Sequence, residues 1–344
     1  MSNTFVKDAW YVIAWSEDLP VGSSVSRTVL AQPIVAFRGE DGSVKAVADR
    51  CPHRGVPLSM GTVVGDNLRC LYHALEFNGS GVCVRNPHIQ ADPGRLKVRS
   101  YPVAERHGAV WVWTGDPMTS DTSCIPDYSW FGAGVPGYRT IHGYVNVEAN
   151  FRLVIDNLLD LSHAEYLHAN TVGTPGSSGS VKTSVDVGEQ RVTVLRKVFN
   201  LEPAAVFKPV WKKSERIDQQ ANITWHAPSH LLLDLGIMPT GGALSDGLHF
   251  PSAHILTPET ERTTHYFYAN TRNFLVEDPV FDDKVRATFV QAFCNEDRPV
   301  IEAIQRAAVD PADGFRFTDF TTGDAAASRV RRMLDKLIAE RVSA

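Results

Sequence analysis

The first third of the chain alternates short apolar runs with turn residues, which is the pattern of β-strands joined by tight connections. Residues 34–37 are β-branched or aromatic apart from one alanine, and the turn residues 39–42 follow them. Residues 110–113 form a last apolar run before a Gly-Asp-Pro stop. Residues 1–117 therefore predict an antiparallel β-domain, and the polar, turn-rich residues 118–126 predict a linker.

After the linker the spacing of apolar positions changes. Residues 127–344 contain segments with helical periodicity and, between them, short strand-like runs. A sheet with segregated helices predicts an α+β domain. The predicted helices cover residues 150–168, 281–309 and 326–341, and the strand-like runs cover residues 192–195, 231–233, 254–256 and 265–268.

Length and composition allow two domains, each with its own core, in a chain of 344 residues. Charged residues make up 21% and hydrophobic residues 43%, as in ordinary globular proteins. The net charge of −5 and the lack of a basic run argue against nucleic acid or an anionic membrane as partner. We read no signal peptide and no apolar run long enough for a transmembrane helix.

The cysteines point to a reducing compartment. Cys51 and Cys70 fall within the motif described next, which leaves Cys83, Cys124 and Cys294 as an odd, scattered set. Such a set indicates free thiols in the cytoplasm, and it does not fit a disulfide framework.

One motif carries recognisable metal chemistry. Cys51-x-His53 is followed, after 16 residues, by Cys70-x-x-His73. Two thiolates and two imidazoles are the ligand set of a Rieske [2Fe–2S] centre. Each motif can curl at a hairpin tip, with residues 65–67 as the turn between them. A zinc site and a set of unrelated core residues stay open as alternatives, although zinc fingers usually group two cysteines and then two histidines.

A Rieske cluster carries electrons, so the oxidation of a substrate needs a second site. Non-haem Fe(II) oxygenases hold iron by two histidines and one carboxylate and leave positions open for oxygen. His163 and His168 are candidates, but five residues of regular helix turn about 500°, roughly 140° away from alignment. The pair can bind one ion only if the helix bends or ends between them.

Asp297 is the candidate carboxylate, because it interrupts an apolar stripe on the helix predicted from residue 281. A buried carboxylate is costly unless it is paired or metal-bound, so a buried salt bridge with Arg298 or another base is the alternative. Pro299 is expected to kink or break this helix. The stripe consists of Phe289, Phe293, Val300 and Ile304.

These motifs resemble the oxygenase component of a Rieske non-haem iron oxygenase, nearest to the vanillate O-demethylase and dicamba monooxygenase branch. Respiratory Rieske proteins carry an extra cysteine in each cluster loop, where this chain has Val56 and Tyr72, so the resemblance points to the oxygenase type. The similarity spans nearly the whole chain and rests on residues 9–12 (Ala-Trp-Tyr-Val), 51–54 (Cys-Pro-His-Arg), 111–113 (Trp-Val-Trp), 156–163 (Asp-Asn-Leu-Leu-Asp-Leu-Ser-His) and 296–298 (Glu-Asp-Arg).

One departure from the family lies in the second cluster loop. The family usually has glycine after Tyr-His, and this chain has Ala74 after His73. If that position requires a positive φ, alanine is strained there.

The resemblance implies a helix-grip catalytic sheet and an iron held by His163, His168 and Asp297. Asp160 precedes His163 by three residues, on one helix face, where it could orient the imidazole or be a solvated helix carboxylate. In the family the matching aspartate links the iron site to a cluster histidine, here His73 of the partner subunit. This arrangement implies a homotrimer.

The resemblance also implies the reaction and its partners. A separate NAD(P)H-dependent reductase with flavin and a [2Fe–2S] cluster is expected to supply electrons, and the substrate is expected to be a methoxy- or methyl-substituted aromatic acid oxidised with O2. Ring hydroxylation, N-demethylation and a pure electron carrier are the alternatives. Asn157 is placed beside the iron without ligating it, and the candidate substrate residues are Asp234, His254 and Thr288.

Overall fold

The computed structural model describes residues 4–89, 92–132, 134–307 and 317–340. The described residues divide into two compact units. The N-terminal unit comprises Phe5–Asp127 and Thr257–Thr260, and the C-terminal unit comprises most of the remaining chain from Tyr128 onward.

Antiparallel strands build the N-terminal unit, as the alternation of apolar runs and turns predicts. They form three sheets with the orders β1-β11-β10, β2-β3-β4-β9 and β5-β6-β7-β8. The strands are β1 Trp10–Trp15, β2 Ser24–Val29, β3 Gln32–Arg38, β4 Val44–Ala48, β5 Thr62–Val64, β6 Asn67–Arg69, β7 Glu76–Phe77, β8 Cys83–Arg85, β9 Ser100–Tyr101, β10 Val103–Arg106 and β11 Ala109–Trp113.

The first cluster motif follows β4, and the second lies between β6 and β7. Beneath both loops is a core cluster in which Cys51 and Cys70 pack with Phe37, Leu68 and Phe77. The cysteines are thus anchored in the core of the unit, and the rest of each loop extends outward from them.

An antiparallel sheet of eight strands forms the framework of the C-terminal unit. Its order is β12-β19-β18-β16-β15-β14-β13, and β17 pairs with β16 at its side. The strands are β12 Arg139–Val147, β13 Val181–Val187, β14 Arg191–Leu201, β15 Ile217–His226, β16 His230–Pro239, β17 Leu248–His249, β18 Ser252–Pro258 and β19 Thr264–Arg272.

The helix predicted over residues 150–168 is interrupted. Helix α1 spans Phe151–Leu159 and ends at Asp160, which has extended backbone angles (φ −104°, ψ 95°). A 3₁₀ turn at Leu161–His163 and a short helix α2 at Ala164–Leu167 follow. Asp160 accepts a hydrogen bond from the Ser162 N–H and so caps the new turn. The prediction that Asp160 and His163 share one helix face is therefore wrong.

The helix predicted over residues 281–309 is continuous through Pro299, so the predicted break is wrong. It consists of α3 (Pro279–Phe289), a π-helical segment (Val290–Asp297) and α4 (Arg298–Ala307), beyond which residues 308 and 309 lie outside the described part. Pro299 is the second residue of α4, where a missing N–H is tolerated. The Arg298 N–H bonds to the Phe293 carbonyl, five residues back.

The π-helical segment also changes which residues of the predicted stripe are buried. Phe293 and Asp297 are buried as predicted, but Val300 and Ile304 are 43% and 39% exposed. Ile301 and Gln305 are buried in their place. A π turn contains more residues than an α turn. Buried positions therefore recur every four residues here, whereas a regular α-helix predicts intervals of both three and four residues.

The last helix, α5, spans Thr322–Ala339 and begins with a capping box between Thr321 and Asp324. Its start lies four residues before the predicted one. The α+β fold class is confirmed, with strands in the N-terminal unit and an antiparallel sheet with few helices in the C-terminal unit. Within the described residues, no helix is both long and apolar enough to cross a membrane.

Candidate metal centres and substrate cavity

Two loops of the N-terminal unit present the cysteine and histidine motifs on the same backbone geometry. The Cys51 N–H donates to the Val56 carbonyl (2.8 Å), and the Gly55 N–H donates to the Cys51 carbonyl (2.8 Å). The second loop repeats both bonds, from the Cys70 N–H to the carbonyl five residues later (2.8 Å) and from the Ala74 N–H to the Cys70 carbonyl (3.1 Å). The two loops are therefore structurally equivalent, although their sequences differ.

The repeated turn requires a left-handed residue. Gly55 has φ +76° in the first loop, and Ala74 has φ +55° at the equivalent position of the second. The condition attached to Ala74 is met, because the position does have a positive φ. An alanine side chain in this region costs roughly 1–2 kcal/mol relative to the right-handed conformation, whereas glycine enters it freely.

The four motif side chains separate into a cysteine pair and a histidine pair. Cys51 and Cys70 are buried and their thiols are in contact, while the rings of His53 and His73 lie 4.4 Å apart and His53 is exposed. Burial raises the pKa of Cys51, although the N–H groups of His53 and Arg54 point at its sulfur and oppose the rise. Ionisation of this thiol is therefore favoured only when a cation is bound.

This separation bears on the zinc alternative. One zinc ion requires its donors around a single point. Among the described residues, one group of three or more His, Cys, Asp or Glu side chains has its donor atoms within 4.8 Å of one another, and it lies in the C-terminal unit. A cysteine pair and a histidine pair fit a two-iron cluster, in which the two histidines replace cysteines on one iron.

That single group consists of His163, His168 and Asp297. His163 Nε2 lies 3.3 Å from Asp297 Oδ1, and His168 Nε2 lies 3.2 Å from Asp297 Oδ2. His168 and Asp297 are buried and His163 is half-buried. The sequence spacing of five becomes compatible with one ion because α2 is a single turn that ends at His168.

The opposite nitrogen of each imidazole has a fixed partner. His163 Nδ1 lies 2.7 Å from the main-chain carbonyl of Asp160, and His168 Nδ1 lies 2.6 Å from Glu296 Oε2. These contacts set both tautomers, so that each Nε2 is free to bind a metal. The Asp160 carboxylate instead contacts Ser162, at its N–H (3.0 Å) and hydroxyl (2.9 Å).

Close packing holds the turn between the two histidines. The N–H of Gly173 donates to the His168 carbonyl (2.9 Å). A Cβ at Gly173 would lie 2.2 Å from the Ala164 carbonyl oxygen and 2.7 Å from that of His168. Only glycine allows the chain to pass this close beneath α2.

The carboxylate of the group is ionised. Burial alone would raise the pKa of Asp297, but hydrogen bonds and charge interactions with His163 and His168 lower it to about 2. Burial likewise opposes the protonated form of His168, yet Asp297 and Glu296 raise its pKa. Asn157 Nδ2 donates to Asp297 Oδ1 (3.0 Å), so Asn157 orients the carboxylate. An anionic carboxylate with two convergent imidazoles fits a divalent iron.

These three side chains open onto a cavity of about 170 Å³ with largely apolar walls. His254 and Thr288 line it, as the sequence predicts of substrate residues. His254 is buried, with Nε2 3.1 Å from Ser252 Oγ and Nδ1 on the Tyr266 hydroxyl. Burial lowers the pKa of His254 to about 4. The ring is therefore neutral near pH 7, and it can meet a substrate acid group only as a neutral hydrogen-bond donor.

Asp234 lies outside the cavity, so its predicted place in the pocket is wrong. Leu233 and Leu235 line the cavity, and the residue between them on a strand points to the other face of the sheet. There the Asp234 carboxylate accepts from Gln220 Nε2 (2.9 Å) and contacts His249 Nε2 (2.7 Å).

Sequence reasoning missed two residues of the site. Glu296 was noted only as a neighbour of Asp297, and its contact with His168 depends on the π-helical segment, which periodicity does not reveal. Asn270 lines the cavity with a buried Nδ2 that has no hydrogen-bond partner among the described residues. Asn270 lies four residues after Tyr266 on one strand, so strand alternation puts both side chains on the same face. The sequence alone could therefore have identified Asn270 as a cavity residue.

Comparison with known proteins agrees with this arrangement. Residues 9–102 match the Rieske [2Fe-2S] domain, and residues 147–340 match the vanillate O-demethylase oxygenase C-terminal domain. The oxygenase component of dicamba O-demethylase from Stenotrophomonas maltophilia is 41% identical over 97% of this chain and 98% of its own length. The iron-sulfur subunit of the toluene-4-sulfonate monooxygenase system from Comamonas testosteroni is 36% identical over 97% of both chains.

A solved structure extends the likeness to the fold. The crystal structure of dicamba monooxygenase with non-haem iron and dicamba has a TM-score of 0.86 and 39% sequence identity, covering 99% of each chain. Both units are therefore counterparts of units in a known oxygenase component.

Proposed function

This chain belongs to the Rieske non-haem iron oxygenases as an oxygenase component, and on that premise we propose that it O-demethylates a methoxy-substituted aromatic acid. The observation that carries the proposal is the open side of the His163, His168 and Asp297 group. It faces a largely apolar cavity that can seat one aromatic ring beside the metal.

We assign the Rieske cluster of this family to Cys51, His53, Cys70 and His73. The equivalent backbone of the two loops and the separation into a cysteine pair and a histidine pair support this assignment. The exposed His53 gives the cluster an edge through which electrons can enter or leave.

We assign a mononuclear iron to His163, His168 and Asp297, with Asn157 as a neighbour that does not ligate. When bound, this iron activates dioxygen so that one oxygen atom enters a substrate C–H bond and the other is reduced to water. Insertion at a methoxy carbon gives a hemiacetal, which collapses to a phenol and formaldehyde. The protein holds both imidazole tautomers, orients the Asp297 carboxylate and excludes bulk water with the cavity wall.

The naming of the relatives as components of oxygenase systems implies a separate reductase. We propose that it is NAD(P)H-dependent and carries flavin and a [2Fe–2S] cluster. We further propose a homotrimer in which Asp160 bridges the iron site to His73 of the partner subunit, so that the electron passes between the two metal centres along this contact. The unpaired state of all five cysteines supports a cytoplasmic location.

For the domains we propose a cluster domain at residues 1–117, a linker at residues 118–126 and a catalytic domain at residues 127–344. The division of the chain between Asp127 and Tyr128, close to the end of the proposed linker, supports this organisation.

Hydroxylation of an aryl methyl group is the second candidate, and the toluene-4-sulfonate relative favours it. Both reactions insert oxygen into a methyl C–H bond, so the same site serves either. Membership among the oxygenase components rules out a pure electron carrier.

Formaldehyde release tests the proposal. Iron-replete protein, a surrogate reductase and NADH are supplied with methoxy- and methyl-benzoates, and formaldehyde is measured against phenol. Equal amounts of both products, lost in Asp160→Asn, support O-demethylation. Formation of benzyl alcohols without formaldehyde from any methoxyarene would replace it with methyl hydroxylation.

A further inference from the structure

A second chamber adjoins the cavity beside the iron ligands. The iron chamber, defined as the cavity lined by His163, His168 and Asp297, has a volume of about 170 Å³. The outer chamber, lined by Phe207 and Phe281 among others, has a volume of about 280 Å³. The two chambers adjoin, because the same five residues line both of them: Val172, Leu235, Phe250, Val285 and Thr288.

These volumes bear on substrate size. A cavity of about 150 Å³ is sufficient to bind benzene, so the iron chamber holds one substituted ring. A compact benzoate would leave the outer chamber without an organic occupant. A chamber of this size that borders the first and has apolar walls can hold a second ring.

The outer chamber is built from aromatic side chains. The ring of Phe274 lies 5.8 Å from Phe281 and 6.4 Å from Phe250, and Phe207 is buried in the wall. Aromatic pairs at such distances favour a further ring among them. Pro209 and Lys284, in the wall of this chamber, are exposed and mark where it meets solvent.

Charge is distributed unevenly between the chambers. No lysine or arginine is among the described residues that line the iron chamber, and His254 there is neutral. Asp297 adds a negative charge. With iron bound, the ion offsets this charge, but the described lining of the iron chamber offers an acid group no lysine or arginine as a partner. In the outer chamber Lys284 supplies such a cation, with Nζ 5.9 Å from the Phe281 ring.

We propose, resting on the function proposed above, that the substrate is an elongated two-ring aromatic anion. The ring that carries the oxidised methoxy or methyl group occupies the iron chamber. The second ring lies among the phenylalanines of the outer chamber, and the acid group ends at Lys284. Single-ring acids are then weak substrates that use the iron chamber alone.

Equilibrium binding tests this proposal independently of turnover. Dissociation constants are measured by calorimetry on iron-replete protein without oxygen. The probes are 4-methoxybenzoate, 4′-methoxybiphenyl-4-carboxylate and the carboxamide of the biphenyl acid. Burial of the second ring is expected to make the biphenyl acid bind about tenfold or more tightly than the benzoate.

Two variants separate the ring from the charge. Val206 also lines the outer chamber. Val206→Trp fills that chamber, so both biphenyl probes should bind about tenfold more weakly while the benzoate changes by less than about twofold. Lys284→Gln removes the cation, so the biphenyl acid should bind about three- to tenfold more weakly and the carboxamide should be unchanged. Lys212→Gln, an exposed lysine outside both chambers, is the matched control and should change none of the three constants.

Two results would overturn the inference: biphenyl acid binding no tighter than the benzoate, or Val206→Trp and Lys284→Gln leaving its dissociation constant unchanged. Unchanged benzoate binding and an intact cluster spectrum show that Val206→Trp is folded. Formaldehyde measured with a reductase on the same samples separates the two proposals. Formaldehyde from the benzoate with no effect of the variants removes only the elongated substrate. Chamber-dependent binding without any oxidised product removes only the proposed function.

Discussion

Ala74 occupies a left-handed backbone position that glycine holds in the other cluster loop, so the two loops provide an internal comparison. Ala74→Gly should stabilise the cluster-loaded protein by about 1 kcal/mol and raise its unfolding midpoint by a few degrees, because the backbone strain is removed. Thermal unfolding followed by loss of the cluster absorbance measures this. Gly55→Ala is the reciprocal control and should lower the midpoint. A midpoint that falls in Ala74→Gly would show that the loop is adapted to alanine.

Asp156 makes stability depend on pH. Burial raises the pKa of Asp156 to about 7, despite Arg331 at 3.5 Å, and neither of its carboxylate oxygens has a hydrogen-bond partner among the described residues. Between about pH 4 and pH 7 the Asp156 carboxyl is therefore protonated in the folded state. In the unfolded state the same carboxyl is ionised above its ordinary pKa near 4. Stability is lost as the pH rises from about 4 to 7, by an amount on the order of a few kcal/mol.

Asp156→Asn should remove this dependence. The variant is expected to gain stability relative to the natural chain between pH 5.5 and pH 8, because an amide needs no proton to be buried neutral. Unfolding midpoints at the two pH values measure the change. If the midpoint of the variant differs from that of the natural chain by the same amount at pH 5.5 and pH 8, another group causes the pH dependence.

At the residue scale, sequence reasoning succeeds where chemistry alone identifies a residue. Cysteine and histidine at Rieske spacing and an aspartate in an apolar stripe were recognisable without coordinates. The face of a strand was harder to assign, and Asp234 was placed in the pocket although it lies on the opposite side of the sheet from its neighbours Leu233 and Leu235. The protonation of His254 depends on burial, which one sequence does not show.

At the element scale, the π-helical segment brings two successive carboxylates to the same site. Glu296 contacts His168, and Asp297 contacts both histidines. Glu296→Ala should weaken iron binding by about 10- to 100-fold, because His168 loses the partner that fixes its ring. Iron retained after dialysis against a chelator measures this loss, and the cluster spectrum should remain.

Glu296→Gln is the matched variant, since its amide oxygen can still accept from His168 Nδ1. It should lose less iron than Glu296→Ala. Iron retention equal to that of the natural chain in Glu296→Ala would mean that His168 is oriented without Glu296.

Helix periodicity predicted where these helices lie but not their irregularities. The interruption at Asp160 depends on its side chain capping a new turn, which competes with continuation of α1. The π-helical segment depends on packing against the sheet, since it has no sequence signature of its own. Proline in a helical pattern predicts a kink or a break, but near the start of a new α-helical segment the missing N–H of Pro299 causes no break. Both irregularities occur at the proposed iron ligands, where regular geometry would separate them.

At the scale of the whole molecule, the proposed trimer makes each iron depend on the cluster of the partner subunit. His73→Ala removes a cluster ligand and Asp297→Ala removes an iron ligand, so each variant alone should be inactive. Co-expressed, they should recover roughly one quarter of natural activity, because random mixing places an intact cluster beside an intact iron at about one interface in four. Formaldehyde release measures the recovery.

The control for this mixing adds Asp160→Asn to the His73→Ala chain, which should abolish the recovery. Mixed oligomers that stay inactive would show that electrons remain within one chain.

The change in periodicity near residue 118 predicts the two-domain organisation. Oligomeric assembly could not be predicted from the sequence in this way, because it depends on surfaces that composition does not identify. Trimer and electron path entered only through family resemblance.

The most direct test of the central claim is the iron content of purified protein together with the spectrum of its cluster. The account predicts about three irons per chain in the natural protein and about two in Asp297→Ala, with the Rieske signal unchanged and formaldehyde production lost. If Asp297→Ala keeps its full iron content and its activity, the iron is held elsewhere and the proposed site is wrong.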